Sequence, residues 1–225
     1  MSNPRKPQDA AGIKARALKK YEASPDAIVA REGDPPLEFF SPFGPMIGRA
    51  QLPRPIVDRV NRFADGFVSP TEGREFSVPK EVSADGGEGS LANFIASAIG
   101  RYLAGMENTR VTRVDFENIW IVSQYAGTPS PVHFHTGDLS GVLYLKVPQV
   151  EEGQEAHTYI SGRQAGYINF LAGGKQRFSR SLISFKPRVG DFYVFPGWLL
   201  HVAEPFRGGG ERRSLAFNAF VAAEE

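Results

Sequence analysis

Two of the chain's four histidines stand at His133 and His135. On an extended segment residues i and i+2 point to the same side, so both imidazoles can reach one ion. Their flanks, Ser130-Pro131 before and Thr136-Gly137 after, suit a strand end opening into a loop. A third histidine, His201, lies far along the chain, just past Phe195-Pro196-Gly197-Trp198. A close pair and one distant partner is a way for a double-sheet barrel to gather metal ligands from separate strands. Imidazole suits iron, zinc, copper or nickel, whereas magnesium and calcium prefer oxygen shells. The plainer alternative for any one histidine is a hydrogen-bonded packing residue, and that is the reading for the fourth, His157.

A second group follows His201. Arg212, Arg213 and Ser214 open a run of strand character, Leu215-Ala216-Phe217-Asn218. Strand alternation turns Arg212 and Ser214 to one face, where a guanidinium and a hydroxyl can hold one carboxylate. An arginine inside an apolar barrel is costly unless paired with an anion. Otherwise one or both arginines are rim charges beside Glu211.

The elements that must position these groups can be read from periodicity. The Pro- and Gly-rich stretch Asp34–Pro55 excludes a long helix and reads as a leading strand or turn region. A helix is predicted near 54–66, with Ile56, Val57, Val60, Phe63 and Ala64 on one face and Pro55 in its first turn. A second is predicted near 90–104, capped by Ser90 and ended by Gly105, with a stripe through Leu91, Phe94, Ile95, Ala98, Ile99, Tyr102 and Leu103. From Arg110 the period falls to two, in Val114, Phe116, Asn118, Trp120 and Val122. Shorter runs recur at Ser140–Val147, Gly166–Leu171, Ser181–Phe185, Asp191–Phe195 and Arg213–Val221, separated by glycine and proline turns. Many short strands after a helical front half, with no helices between them, predict a mainly β fold: a sandwich or jelly roll with N-terminal α-helices packed on it.

The ordered blocks HFH, SGVLYLKVP, GDFYVFPGWLLHVAEP and ERRSLAFN resemble the iron- and 2-oxoglutarate-dependent oxygenases. The likeness is nearest a bacterial and phage branch with the motif H-x-H…SGVYYL…FPSWLxH…ERxSxSFN, and it runs from roughly Trp120 to Asn218. It implies a double-stranded β-helix, Fe(II), 2-oxoglutarate as co-substrate and dioxygen. His133 matches the first metal ligand and His201 the distal one. Arg212 stands where the family's arginine pairs with the distal carboxylate of 2-oxoglutarate, with Ser214 as its partner. Tyr144, in SGVLYL, and Tyr125, before the pair, are candidates for the same pocket. The usual second ligand is a carboxylate; here His135 holds that slot, with Asp138 or water as alternatives. Phe192, Val194, Phe195, Trp198 and Leu199 are candidate apolar walls.

Composition sets the outer bounds. A hydrophobic share of 41% and a charged share of 23% exclude a disordered or fibrous chain. The absence of cysteine excludes disulfides, thiolate zinc and iron–sulfur clusters. Net charge is +1, which gives no global pull toward nucleic acid. No apolar run approaches the ~18 residues of a membrane span, and no signal-like apolar core follows the basic N-terminus. The expectation is a cytoplasmic protein: a basic extension over 1–33 and one jelly-roll domain over 34–225. Its substrate, a small molecule or a peptide, would be selected by loops near Pro148–Ala165 and Gly173–Arg177. Two rival functions remain: a cupin-like metal protein that does not use 2-oxoglutarate, which leaves Arg212 and Ser214 without a job, and a metal-free jelly-roll binding module.

Overall fold

The computed structural model describes residues 34–40, 44–69, 72–107, 109–128, 130–150, 165–174 and 180–224. The basic extension 1–33, His157 and most of the two expected specificity loops lie outside the described residues.

Chain order begins with two short strands, β1 (Glu38–Phe40) and β2 (Ile47–Gln51), in the stretch expected to hold a strand or turn. Helix α1 (Arg54–Asp65) follows, with Pro55 in its first turn and Ile56, Val57, Val60 and Ala64 buried at helical spacing. Next come β3 (Arg74–Ser77), the single-turn α2 (Lys80–Ser83) and a 3-10 turn at Gly87–Gly89. Helix α3 (Leu91–Glu107) is the long one. The Ser90 hydroxyl accepts the Asn93 N–H at 3.3 Å, so the expected cap forms. Gly105 does not end the helix, which runs two residues past it. One exposed glycine costs a helix only about 1 kcal/mol, and the buried face below it outweighs that.

The remaining strands are β4 (Arg110–Gln124), β5 (Leu139–Lys146), β6 (Gln149–Val150), β7 (Ile168–Leu171), β8 (Leu182–Phe185), β9 (Asp191–Pro196), β10 (Leu200–Ala203), β11 (Gly208–Gly209) and β12 (Arg212–Glu224). Seven form one antiparallel sheet in the order β1-β2-β9-β5-β12-β4-β3, and β10-β7-β8 form a smaller second sheet. This is the expected mainly β jelly roll with helices on it.

Alternation along the central strands builds two separate cores. Leu143, Leu145, Phe192, Val194, Leu215 and Phe217 pack with the buried faces of α1 and α3. The intervening Tyr144, Tyr193 and Phe195 turn the other way, onto Ile168, Phe170 and Leu199 of the second-sheet side. Close approach of the strands is possible because Gly141 has no side chain: a Cβ there would lie 2.4 Å from the Tyr193 carbonyl oxygen and 2.3 Å from the Phe217 ring. The long β12–β4 ladder fixes the register that matters for the site, pairing Arg212 with Gln124, Ser214 with Val122 and Ala216 with Trp120.

Candidate metal centre

The three motif histidines meet. The segment holding His133 lies against β10 through one antiparallel bridge to His201. Each of these two residues donates its backbone N–H to the other's carbonyl at 3.0 Å. His135 donates its N–H to the Gly197 carbonyl at 2.8 Å, and Gly197 in turn donates to the Asp138 carbonyl at 3.0 Å. The ligand nitrogens of His133, His135 and His201 all lie within 4.8 Å of one another.

Their protonation suits a cation. His133 Nδ1 lies 2.8 Å from the Pro131 carbonyl oxygen and His201 Nδ1 2.9 Å from that of Leu199. A carbonyl only accepts, so Nδ1 donates in both rings and Nε2 is the atom left to face an ion. Burial, reinforced by His133, pushes the His135 imidazole down to about 4. Burial pushes His201 down to about 3 against a pull upward from the Leu199 carbonyl, with His133 and His135 adding to the fall. Neutral imidazole is the metal-binding form, so the three residues fit a divalent transition metal.

The cluster opens on a cavity of about 90 Å³. The sheet contributes Trp120, Val122, Gln124, Gly141, Val142, Tyr144, Ser214 and Ala216, and the second sheet adds Ile168 and Ala203. Trp120 sets its ring edge-on to His135 at 5.6 Å, so the Trp120–Ala216 level marks the metal end. The Val122–Ser214–Tyr144 level follows, then Gln124–Arg212, about 13 Å from Trp120 along the strand.

Ser214 and Tyr144 line the cavity as expected. Burial raises the Tyr144 hydroxyl to about 12, against the nearby Arg212 charge, so it stays a donor at neutral pH. Neither arginine is a rim charge: both are fully buried. Arg212 lies on the cavity side of β12, but its guanidinium is held by neutral acceptors rather than an anion. Nε and Nη2 donate to Gln124 Oε1 at 3.0 and 2.8 Å, Nη1 to the Glu204 carbonyl at 2.5 Å, and Nη2 to the Ala203 carbonyl at 3.3 Å. Arg213 faces the opposite way, where it forks onto Glu211 at 2.7 and 2.9 Å and reaches Asp65 at 2.8 Å.

Three of the candidate assignments lie away from the positions considered for them. The Tyr125 hydroxyl donates to the Ser69 carbonyl at 2.6 Å, and Tyr125 does not line the cavity. β4 ends at Gln124, so the alternation that would aim Tyr125 has already stopped. Asp138 is exposed, accepts the Val221 N–H at 3.0 Å and is outside the metal cluster; that places His135, not Asp138, with the other two histidines. Of the five expected wall residues only Phe195 lines the cavity. Phe192 and Val194 face the helix-side core, Leu199 sits behind in the second core, and Trp198 is 60% exposed.

Gln124 and the buried pair Asn169–Glu204, joined at 2.7 Å, carried no signal in the sequence. A lone glutamine at a strand end acquires meaning only from its partner across the ladder. Periodicity does not reveal that partner.

Comparison with known proteins bears on the same stretch. Residues 118–218 match the family model described as "Putative 2OG-Fe(II) oxygenase". This match supports the 2OG-Fe(II) oxygenase superfamily. Among solved structures, HygX from Streptomyces hygroscopicus with nickel, 2-oxoglutarate and hygromycin B bound is similar at a TM-score of 0.54 and 12% identity, covering 80% of this chain and 84% of that one. The same protein with iron bound matches at 0.50 and 12%, covering 80% and 83%. These likenesses show a shared fold. No curated protein matches the chain in sequence. Among the described residues no helix is long and apolar enough to cross a membrane.

Proposed function

We propose that the protein is an Fe(II)- and 2-oxoglutarate-dependent oxygenase that hydroxylates a small molecule or a peptide, with the catalytic jelly roll spanning 34–225 and 1–33 an extension. The observation that carries this reading is the convergence of three imidazoles on one cavity. The sheet wall of that cavity leads to Ser214, Tyr144 and Gln124, backed by a buried arginine. The family match over the same residues supports it.

His133, His135 and His201 would hold the metal, with His133 and His201 oriented by their Nδ1–H bonds to backbone carbonyls. When bound, ferrous iron supplies the dioxygen chemistry, in which 2-oxoglutarate gives up two electrons, one oxygen atom goes into succinate as carbon dioxide leaves, and the other goes to the substrate. The chain's own share is to bind, orient and exclude water. Trp120 braces the His135 ring. Ser214 and Tyr144 offer hydroxyl donors to the co-substrate, and Val122, Val142, Ile168 and Ala216 keep the cavity apolar. A cavity of about 90 Å³ holds little beyond the keto acid, so the body of the substrate would rest outside. There Val132, Phe134, Trp198 and Leu200, all exposed, flank the metal ligands in sequence.

The deciding test is succinate formation from 2-oxoglutarate with Fe(II) and dioxygen, with and without a pool of candidate substrates, using His201→Ala as the blank. Succinate from wild type alone is the expected result. The all-imidazole ligand set favours a second reading, a cupin-like metal protein without a keto acid. Metal uptake with no binding of 2-oxoglutarate would establish that reading instead.

A further inference from the structure

The segment that carries His133 and His135 is bonded on one side only. Its pairing to β10 and the turn before it uses both backbone groups of His133 and the N–H of His135. On an extended chain successive residues turn their N–H and C=O to opposite sides, so those of Val132 and Phe134 face away from β10. Among the described residues none of these four groups has a hydrogen-bond partner. Val132 is 40% exposed and Phe134 62%. The segment is an open edge of the second sheet, one strand beyond β10.

Proteins usually blunt such edges with charge. In this chain β1 carries the exposed Glu38, and β3 the exposed Arg74 and Glu75. The edge from Pro131 to His135 holds no acid, lysine or arginine. Its outer face is apolar instead: the His133–His201 register sets Phe134 opposite Leu200, which is 40% exposed. The same alternation turns His133 and His135 inward to the metal cluster. A strand laid on this edge therefore presents every second side chain beside the imidazoles.

Resting on the function proposed above, we infer that the substrate is an extended peptide that adds to this edge as a strand. The pairing is antiparallel, as is every pairing described in the sheets. The N–H and C=O groups of Val132 and Phe134 bond two peptide residues with one residue between them. That middle residue lies opposite His133 in a non-hydrogen-bonded pair, where Cα atoms approach to about 4.5 Å and side chains are closest. Its side chain shares the imidazole face and is the one oxidised. A C–H bond there becomes C–OH with one atom of dioxygen, and 2-oxoglutarate takes the other as it yields succinate and carbon dioxide. The two flanking peptide residues share the outer face with Val132, Phe134 and Leu200, which favours apolar side chains at both. A small molecule makes no use of four aligned backbone groups, and a cavity of about 90 Å³ has only to admit one side chain of a peptide.

The probe is a mixture of end-capped octapeptides, incubated with the full, iron-loaded chain, 2-oxoglutarate and dioxygen. Mass spectrometry picks out the members that gain one oxygen atom. The oxidised sequence is then resynthesised with a single backbone N-methyl group at each position in turn, and each peptide is titrated calorimetrically into the manganese-loaded chain without dioxygen. N-methylation on either side of the oxidised residue should weaken binding by roughly 2- to 12-fold, one hydrogen bond each, and N-methylation of the oxidised residue itself should not. The amides of Val132 and Phe134 should gain protection from deuterium exchange when the unmodified peptide binds. Val132→Pro deletes an N–H that has no partner in the fold, so with wild-type metal content it should weaken the peptide by the same factor; the N-methyl scan needs no variant if this one misfolds. Binding that shows no alternation in the scan overturns the inference. So does protection of Val132 and Phe134 that rises with protein concentration alone, which assigns the edge to a second copy of the chain. Succinate formation with no peptide oxidised overturns it too and leaves the oxygenase reading standing. If wild type forms no succinate under any condition, the oxygenase reading falls and takes this one with it.

Discussion

Gly197 is the position where a single methyl group should reach the metal site without replacing a ligand. A Cβ built there lies 2.0 Å from the Gly137 carbonyl oxygen and 2.9 Å from the Gly137 carbonyl carbon. Ordinary contact begins near 3.4 Å, so Gly197→Ala needs about 1.4 Å of separation between its turn and the 135–138 segment. The two hydrogen bonds that join those segments, His135 N–H to Gly197 and Gly197 N–H to Asp138, leave no slack for it. Losing both costs about 1–3 kcal/mol, and residual strain in a packed region adds a comparable amount, so about 2–6 kcal/mol is expected. For a chain of this size that lowers Tm by roughly 4–24 °C. Displacing His135 by a fraction of that distance should weaken metal at least ~10-fold, because a ligand set tolerates only about 0.5 Å of error. Thermal unfolding and metal titration of Gly197→Ala would be compared with Gly89→Ala, whose Cβ meets nothing within 4 Å. Wild-type Tm and wild-type metal affinity in Gly197→Ala would refute the reasoning.

Three further outcomes follow from the geometry. His133→Ala and His201→Ala should each abolish stoichiometric metal after reconstitution, while Asp138→Ala keeps it; elemental analysis decides, and metal loss in Asp138→Ala would return that residue to the ligand set. Arg212→Ala should weaken 2-oxoglutarate at least ~10-fold by calorimetry, whereas Arg213→Ala should lower stability and leave that affinity alone. Glu211→Gln should cost about 3 kcal/mol in denaturant unfolding, because it strips the forked partner from a fully buried arginine. Burial pushes the Glu211 carboxyl up, but Arg213, Ser123 and Lys146 outweigh burial and hold it below its ordinary 4.5. A carboxyl with a lowered folded pKa stabilises the protein above the unfolded value and ceases to do so as pH falls through the folded one. Wild type should thus lose stability on acidification below about pH 4.5, and Glu211→Gln should lose less over the same range.

Local rules carried the sequence reading a long way because much of the site is built on alternation. The i, i+2 spacing of His133 and His135 and the Arg212/Ser214 face follow from a period of two, and the β12–β4 ladder preserves it. Both long helices were legible from their apolar stripes. What failed was information stored across the chain. β3 has only four residues, and every side chain is at least partly exposed, so it shows no alternation and exists by pairing with β4. Phe192 and Phe195 look alike in sequence, yet they stand on opposite faces of β9 and enter different cores. Gln124 matters only because the register sets it opposite Arg212, and the buried Arg213 takes, besides the nearby Glu211, two partners that α1 brings to it, Asn61 and Asp65. Those partners come from sequence separations of 88 to 152 residues, beyond the reach of any window.

The reciprocal bridge between His133 and His201 makes the ligand spacing a property of the main chain. Two coordinating residues tied N–H to carbonyl in both directions need no ion to find each other, unlike a site assembled from loops that collapse around a metal. Removing the metal with a chelator should then leave a folded apoprotein that reloads without a folding step. The two amide protons of that bridge offer a clock for it: their exchange with solvent deuterium reports how often the ligand pair parts, and metal should slow it by an amount that measures how much order the bare protein already had.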